Sequence, residues 1–310
     1  MNIDQGDIDR FEKHLNPAEP DKSGIPFKIL GYGEISSIFQ MEKYPEVAFK
    51  RLPVFPDRQS AQSYRDQYFA YASHLKEAGI RLPDEDLFIT RHSPGRPHVL
   101  YLAQALFQEA CFCNQLIHTL DQDRITDMLE EIIQALHTVW RYNESAMPGI
   151  EIALDAQLSN WVWPIENGKR HLYLIDTSTP FLRIKGKEQL DVKLLLRSMP
   201  FIIRLFIRFI NLDDVVARYY DRRIVFLDII GNLVKEQAPE LIHFFMDHVN
   251  KALENTFDLN PISRSEVGAY YQKDKLIWTA FSALRRMDRF VTAKLFKKPY
   301  EFILPGKVKR

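Results

Sequence analysis

LDAQLSNWVWPIENGKRHLYLID, residues 154–176, carries Asp155, Asn160 five residues on, and Asp176 at its far end. Between them, two alternating apolar and polar runs flank ENGK, whose Asn-Gly pair suits a tight two-residue turn, so the stretch is predicted to form a small hairpin. Asp176 then closes the second strand of that hairpin. Taken singly, each residue has an ordinary structural use. An aspartate at a strand end caps turns, and Asp155 with Asn160 can form Asx turns.

Upstream, PFKILGYG, SSIFQM and PEVAFKRL are short apolar segments parted by turn residues and read as an antiparallel meander with Lys50 on the third strand. From about Pro56 to Ala78 the period changes to that of a helix, with Ala61, Tyr64, Tyr68, Tyr71 and Leu75 on one face and Gly79 as the stop. LFITRH and HVLYLAQAL flank SPGRP and complete a predicted five-stranded sheet, with one helix inserted after strand three. Beyond residue 107 helices dominate. Residues 121 to 140 form a strong amphipathic helix with Ile125, Met128, Leu129, Ile132 and Leu136 inward, and helices are expected again from about 187. These boundaries define an N-terminal helical extension (1–24), a sheet-bearing lobe (25–107) and a helical lobe (108–310).

Phosphoryl transfer requires phosphate positioning, metal ligands, charge neutralisation and a group that orients the attacking oxygen. GYGEISSIF lies between the first two strands, where Gly31 and Gly33 allow a tight turn with N–H groups offered to phosphate oxygens, although such glycines also make plain hairpins. Lys50 could bring an ammonium inward while its stem lies along apolar neighbours. The order of these features resembles the protein-kinase-like superfamily across residues 25 to 180, and is closer to aminoglycoside- or choline-type small-molecule kinases than to regulated protein kinases. The resemblance implies an α+β, two-lobed fold with ATP and Mg2+ in the cleft. It gives Asp155 the acceptor hydroxyl, Asn160 and Asp176 the metal, Lys50 the phosphates, and Gly31, Gly33 and Ser36 the glycine-rich loop. The hinge, Gln104, Ala105 and Leu106, would meet the base.

This chain departs from that pattern at several points. Ser36 replaces the third loop glycine, Ala153-Leu154 precede Asp155 in place of His-Arg, and Thr177-Ser178 follow Asp176 in place of Phe-Gly. On the inserted helix Asp66 projects away from the tyrosine stripe and Gln67 borders it, so Gln67 is the candidate partner of Lys50 unless that lysine is paired from elsewhere. The first expectation is an ATP- and magnesium-dependent phosphotransferase acting on a small hydroxylated molecule. A pseudokinase that binds a nucleotide or a partner, and an enzyme that transfers a nucleotidyl group to protein, are the alternatives.

Equal numbers of Lys plus Arg and Asp plus Glu, 41 each in 310 residues, leave no overall field to attract nucleic acid. The amino terminus lacks the pattern of a secretory signal, which suggests a cytoplasmic protein. Cys111 and Cys113 lie too close in sequence to bridge separate elements, and zinc is not expected. The run from Ser198 to Leu212, interrupted by Arg204 and Arg208, reads as a packed helix in preference to one lying on a membrane surface. RYYDRR, residues 218–223, reads as a salt-bridged helix junction in preference to an anion site.

Overall fold

The computed structural model describes residues 1–17, 19–32, 36–52, 54–145, 149–190 and 212–291. Gly33, the 198–211 part of the arginine-interrupted run and residues 292–310 lie outside the described residues.

Strands β1 (Phe27–Tyr32), β2 (Ser37–Met41), β3 (Val47–Arg51), β4 (Glu85–Arg91) and β5 (His98–Ala105) form one antiparallel sheet in the order β1-β2-β3-β5-β4. β3 and β5 carry β-branched or aromatic residues at alternate positions, Val47 and Phe49 and then Val99 and Tyr101, which pack well on a pleated surface. Two helices cover the two faces. On one, α1 (Gln5–His14) brings Ile8 and Phe11 against Phe39, Phe49, Val99 and Tyr101. On the other, α2 (Arg58–Glu77) brings Ala61, Tyr64, Tyr68 and Ala72 against Leu52, Leu87, Leu100 and Leu102. The amino-terminal extension therefore shares its core with the sheet, and the boundary expected near residue 25 separates elements in sequence and not in packing.

Because successive strand residues point to opposite faces, neighbouring cations on β3 part company. Arg51 faces α1, where its guanidinium donates to both carboxylate oxygens of the fully buried Glu12, at 2.9 and 2.8 Å. Tyr101 adds a third donor to Glu12 at 2.6 Å. Lys50 turns to the face covered by α2 and toward the second lobe.

That second part is mainly helical. α3 (Cys113–Leu116) and α4 (Gln122–Ser145) lead to β6 (Ile150–Ile152). The predicted stripe of α4 is buried throughout and packs in one cluster with Phe226, Ile229, Phe245 and Val249 from later helices. The hairpin forms as the sequence indicates. β7 (Trp161–Val162) pairs with β10 (Tyr173–Leu174), and β8 (Ile165–Glu166) with β9 (Lys169–Arg170), antiparallel in both cases. Asn167 and Gly168 have φ of 52° and 79°, as a two-residue turn matching the strand twist requires.

The chain after Asp176 differs from expectation. Instead of a helix at 187, β11 (Leu182–Ile184) and β12 (Lys187–Glu188) form a second hairpin that pairs back onto β6. Its platform is the 218–223 cluster. Tyr219 stacks on Phe181 at 4.2 Å, Arg183 lies 3.6 Å over the Tyr220 ring, and the Tyr220 hydroxyl donates to Glu188 at 3.1 Å. Asp221 caps α6 (Arg222–Lys235) through the Ile224 N–H at 2.9 Å, and Arg222 and Arg223 pair with Glu144 and Glu266. The cluster is a junction, as its mixed charges suggest. α5 (Leu212–Ala217), α7 (Ile242–Thr256) and α8 (Arg264–Phe290) complete the described helices.

Candidate active site

Lys50 and Asp176 meet across the two lobes. The ammonium donates to Oδ1 of Asp176 at 2.7 Å, with the lysine side chain 10% exposed and the aspartate 37%. Ser178 donates to the same oxygen from its N–H at 3.2 Å and its hydroxyl at 2.7 Å. Burial pushes the Asp176 carboxyl up, but the Lys50 charge and these hydrogen bonds outweigh it and hold its pKa below the ordinary value. All three donors converge on Oδ1. Oδ2 receives no hydrogen bond among the described residues.

Asn160 is set beside it by backbone pairing, since the Ile175 N–H donates to the Asn160 carbonyl at 2.9 Å. The hairpin thus carries its two ends to one point. The Asn160 side-chain NH2 donates to the Asp155 carbonyl at 3.1 Å, which orients the amide, and its Oδ1 accepts no hydrogen bond among the described residues. These carboxylate and amide oxygens form a hard oxygen donor pair. Magnesium commonly takes one or two such protein oxygens and completes its shell with phosphates and water, so these residues fit it.

Asp155 sits on the loop between β6 and β7. Its two oxygens accept from the Gln157 N–H at 3.2 Å and the Gln157 side-chain amide at 3.3 Å. The other end of that amide accepts from Lys235 at 2.9 Å, so a cation at the end of α6 is joined to Asp155 through one glutamine. The sequence reading missed both residues. Gln157 offered a signal, a polar side chain two positions after Asp155, whereas Lys235 arrives from a helix almost eighty residues later.

The tyrosine stripe of α2 does more than fill the core. Its rings are buried, and its hydroxyls reach the loops that carry the polar residues. Tyr64 donates to the Ser178 carbonyl, and Tyr71 to the Ala153 carbonyl at 2.6 Å. Tyr68 donates to Glu85 of β4 at 2.6 Å and lies 2.8 Å from the Thr177 hydroxyl. Hydroxyls were the available signal, because a stripe serving packing alone could have been Leu or Phe. Burial raises the Glu85 carboxyl above its usual range despite hydrogen bonds from Tyr68 and Gln104. Gln67 has no such part. Its side chain makes no hydrogen bond among the described residues, and the partner of Lys50 is Asp176.

Gly31 lies in β1 beside a register shift between Ile29 and Gly31. A Cβ there would meet only the Ile38 side chain at 3.9 Å, so no described protein atom requires glycine. Ser36 is buried immediately before β2. In the hinge, the Ala105 and Leu106 N–H groups already donate to the carbonyls of Asp84 and Glu46, and the Gln104 amide donates to Glu85. Those donors are in use, and the Leu106 carbonyl and Phe107 N–H are the next backbone groups along the hinge.

A five-stranded antiparallel sheet with its helix after β3, followed by a mainly helical second lobe, makes an α+β, two-lobed arrangement that carries Lys50, Asp155, Asn160 and Asp176 in that order. The chain belongs to a family of unknown function, DUF6206, which matches residues 12–289. No curated protein matches the sequence. Among solved structures, WaaP in complex with acyl carrier protein is similar at a TM-score of 0.33 and 13% identity, over 71% of this chain and 89% of that one. The GDP and kanamycin complex of APH(2")-IIia is similar at 0.34 and 13%, over 80% and 99%. At these scores neither match bears on the site, which stands on its own geometry.

Proposed function

We propose that this chain is a magnesium-dependent phosphotransferase that moves the γ-phosphoryl group of ATP to a hydroxyl of a small molecule. The observation that carries the reading is the division of labour at Asp176. One oxygen is held by Lys50 and Ser178, and the other, like Oδ1 of Asn160, accepts no hydrogen bond among the described residues.

In this reading Asp155 accepts the proton of the acceptor hydroxyl while its oxygen bonds to the γ-phosphorus and the bond to the β–γ bridging oxygen breaks. Asn160 and Asp176 would hold Mg2+, which supplies positive charge to the β and γ phosphate oxygens. Lys50, already aimed into the cleft, neutralises phosphate charge. Gly31 fits a backbone that phosphates approach closely, since nothing else described fills the space a side chain would take. A small acceptor is favoured over a peptide because β11, the first strand after Asp176, is already paired on both edges, by β12 and by β6.

Purified protein should be incubated with Mg2+ and ATP labelled at either the γ or the α phosphate, together with a panel of polyhydroxylated and aminated small molecules. Label from the γ position in a small product supports the proposal. Label from the α position on protein indicates nucleotidyl transfer, and binding with no transfer to any acceptor or to water indicates a pseudokinase.

A further inference from the structure

Helix α8 runs from Arg264 to Phe290, and its second half carries large apolar side chains in the open. Leu276 is 72% exposed, Met287 48% and Phe290 60%. At about 100° per residue, positions 276, 280, 283, 287 and 290 fall within a narrow sector, so Leu276, Ala280, Ala283, Met287 and Phe290 form one stripe. Ile277, also exposed, widens it on one side. Lys273, Lys275 and Arg286 are exposed and lie at the edges of that stripe, one on one side and two on the other.

Charge is segregated in the same region. The chain is neutral overall, yet residues 273–310 contain eleven Lys and Arg against three Asp and Glu, so the remainder is acidic by the same margin. Three of these cations, Lys273, Lys275 and Arg286, are described and flank the exposed apolar stripe. A partner with an apolar interior and an anionic rim fits both features at once. Among the described residues no helix is long and apolar enough to cross a membrane, so α8 would lie along a surface and not span it.

We infer that the carboxyl-terminal half of α8 is a docking surface for an anionic lipid membrane. The stripe of Leu276, Met287 and Phe290 enters the headgroup boundary while Lys273, Lys275 and Arg286 meet lipid phosphates. A surface of this kind draws affinity from apolar burial and from attraction to anionic headgroups, and the second contribution weakens with salt. The inference is independent of the proposed chemistry.

The test is sedimentation of the full chain with vesicles of neutral phosphatidylcholine, with and without one third anionic phosphatidylserine. We expect binding to the anionic vesicles at least tenfold stronger than to the neutral ones, declining as salt rises. The triple variant Lys273→Glu, Lys275→Glu, Arg286→Glu should lose at least tenfold, and Leu276→Ser with Phe290→Ser a similar amount. All five side chains are exposed, so a thermal melt should be unchanged; if one variant does not fold, the other carries the test. Absence of binding to anionic vesicles overturns the inference, as does binding that neither variant weakens. Concentration-dependent dimerisation abolished by Leu276→Ser with Phe290→Ser, without vesicle binding, overturns it in favour of a second copy of this chain.

Discussion

Lys50 and Asp176 are 126 positions apart in sequence, and the ammonium of one lies 2.7 Å from Oδ1 of the other. This contact joins the third strand of the sheet to the loop between β10 and β11, so an ion pair ties the two lobes at the candidate site. Lys50→Met should lower phosphoryl transfer by about 10²-fold, the scale seen when one preorganised donor to developing charge is removed. Asp176→Asn should abolish the magnesium dependence of nucleotide binding, measured by calorimetry with and without the metal. Gln67→Ala should leave affinity and turnover unchanged, because Gln67 is not the partner of Lys50; a tenfold loss would return it to the site.

Tyr68→Phe removes one hydroxyl from between Glu85 and Thr177 and leaves buried oxygens short of a partner. The expected cost is about 1–3 kcal/mol of stability, read from urea unfolding. Because Thr177 adjoins Asp176, nucleotide affinity should fall too. A variant as stable as the parent would show that the network does not hold α2 against the loop.

The Glu85 carboxyl is raised above its ordinary range by burial, so the folded state holds its proton more tightly than the unfolded chain does. Stability from this group is present below the ordinary glutamate range and is lost as pH rises through the higher folded-state value. Glu85→Gln should remove that decline, and the parent and variant should differ more at neutral pH than at pH 4. Parallel stability curves would contradict the assignment.

Glu12 runs the other way. Burial pushes its carboxyl up, but Arg51 and the hydrogen bonds from Arg51 and Tyr101 prevail and its pKa is lowered. Its contribution is present above the ordinary glutamate range and is lost as pH falls through the depressed folded-state value. Glu12→Ala removes the carboxylate partner of a buried guanidinium and should cost about 3–5 kcal/mol. A melt unchanged by that substitution would mean that water reaches Arg51 from outside.

Lys235 acts on Asp155 only through Gln157, and its substitution should separate binding from turnover. With Lys235→Met, nucleotide affinity should hold while kcat falls about tenfold or more, on the scale of lost general-base positioning. Lys235→Arg should restore part of the rate. Loss of affinity and rate together would indicate damage to the fold and not to the orientation of Asp155.

The elements that position this site were readable from periodicity alone. Alternation over the strands, the helical stripe from Ala61 to Leu75 and the Asn-Gly turn at 167–168 are local patterns, each specified by neighbours a few residues away. Hence the sheet, the inserted helix and the hairpin formed where the sequence placed them, and it was the resemblance of their order to kinase-like motifs that nominated Asp155, Asn160 and Asp176. The second hairpin at 182–188 was not readable in this way. Its short strands are stabilised by Tyr219 and Tyr220, residues far along the chain whose rings give no local period.

Partnership was decided only in three dimensions. Nothing within ten residues of Lys50 indicates that its charge belongs to Asp176 and not to Gln67, that Arg51 belongs to Glu12, or that Lys235 reaches Gln157. Each pairing depends on which face of a strand or end of a helix is brought against which loop, and that follows from packing two lobes together. The sequence by itself determined where the strands, the inserted helix and the Asn-Gly hairpin form, because residue type and periodicity are local properties. The tertiary structure decided which oxygens are held and which stay open, because hydrogen-bond geometry between distant segments exists only once their apolar faces have been buried.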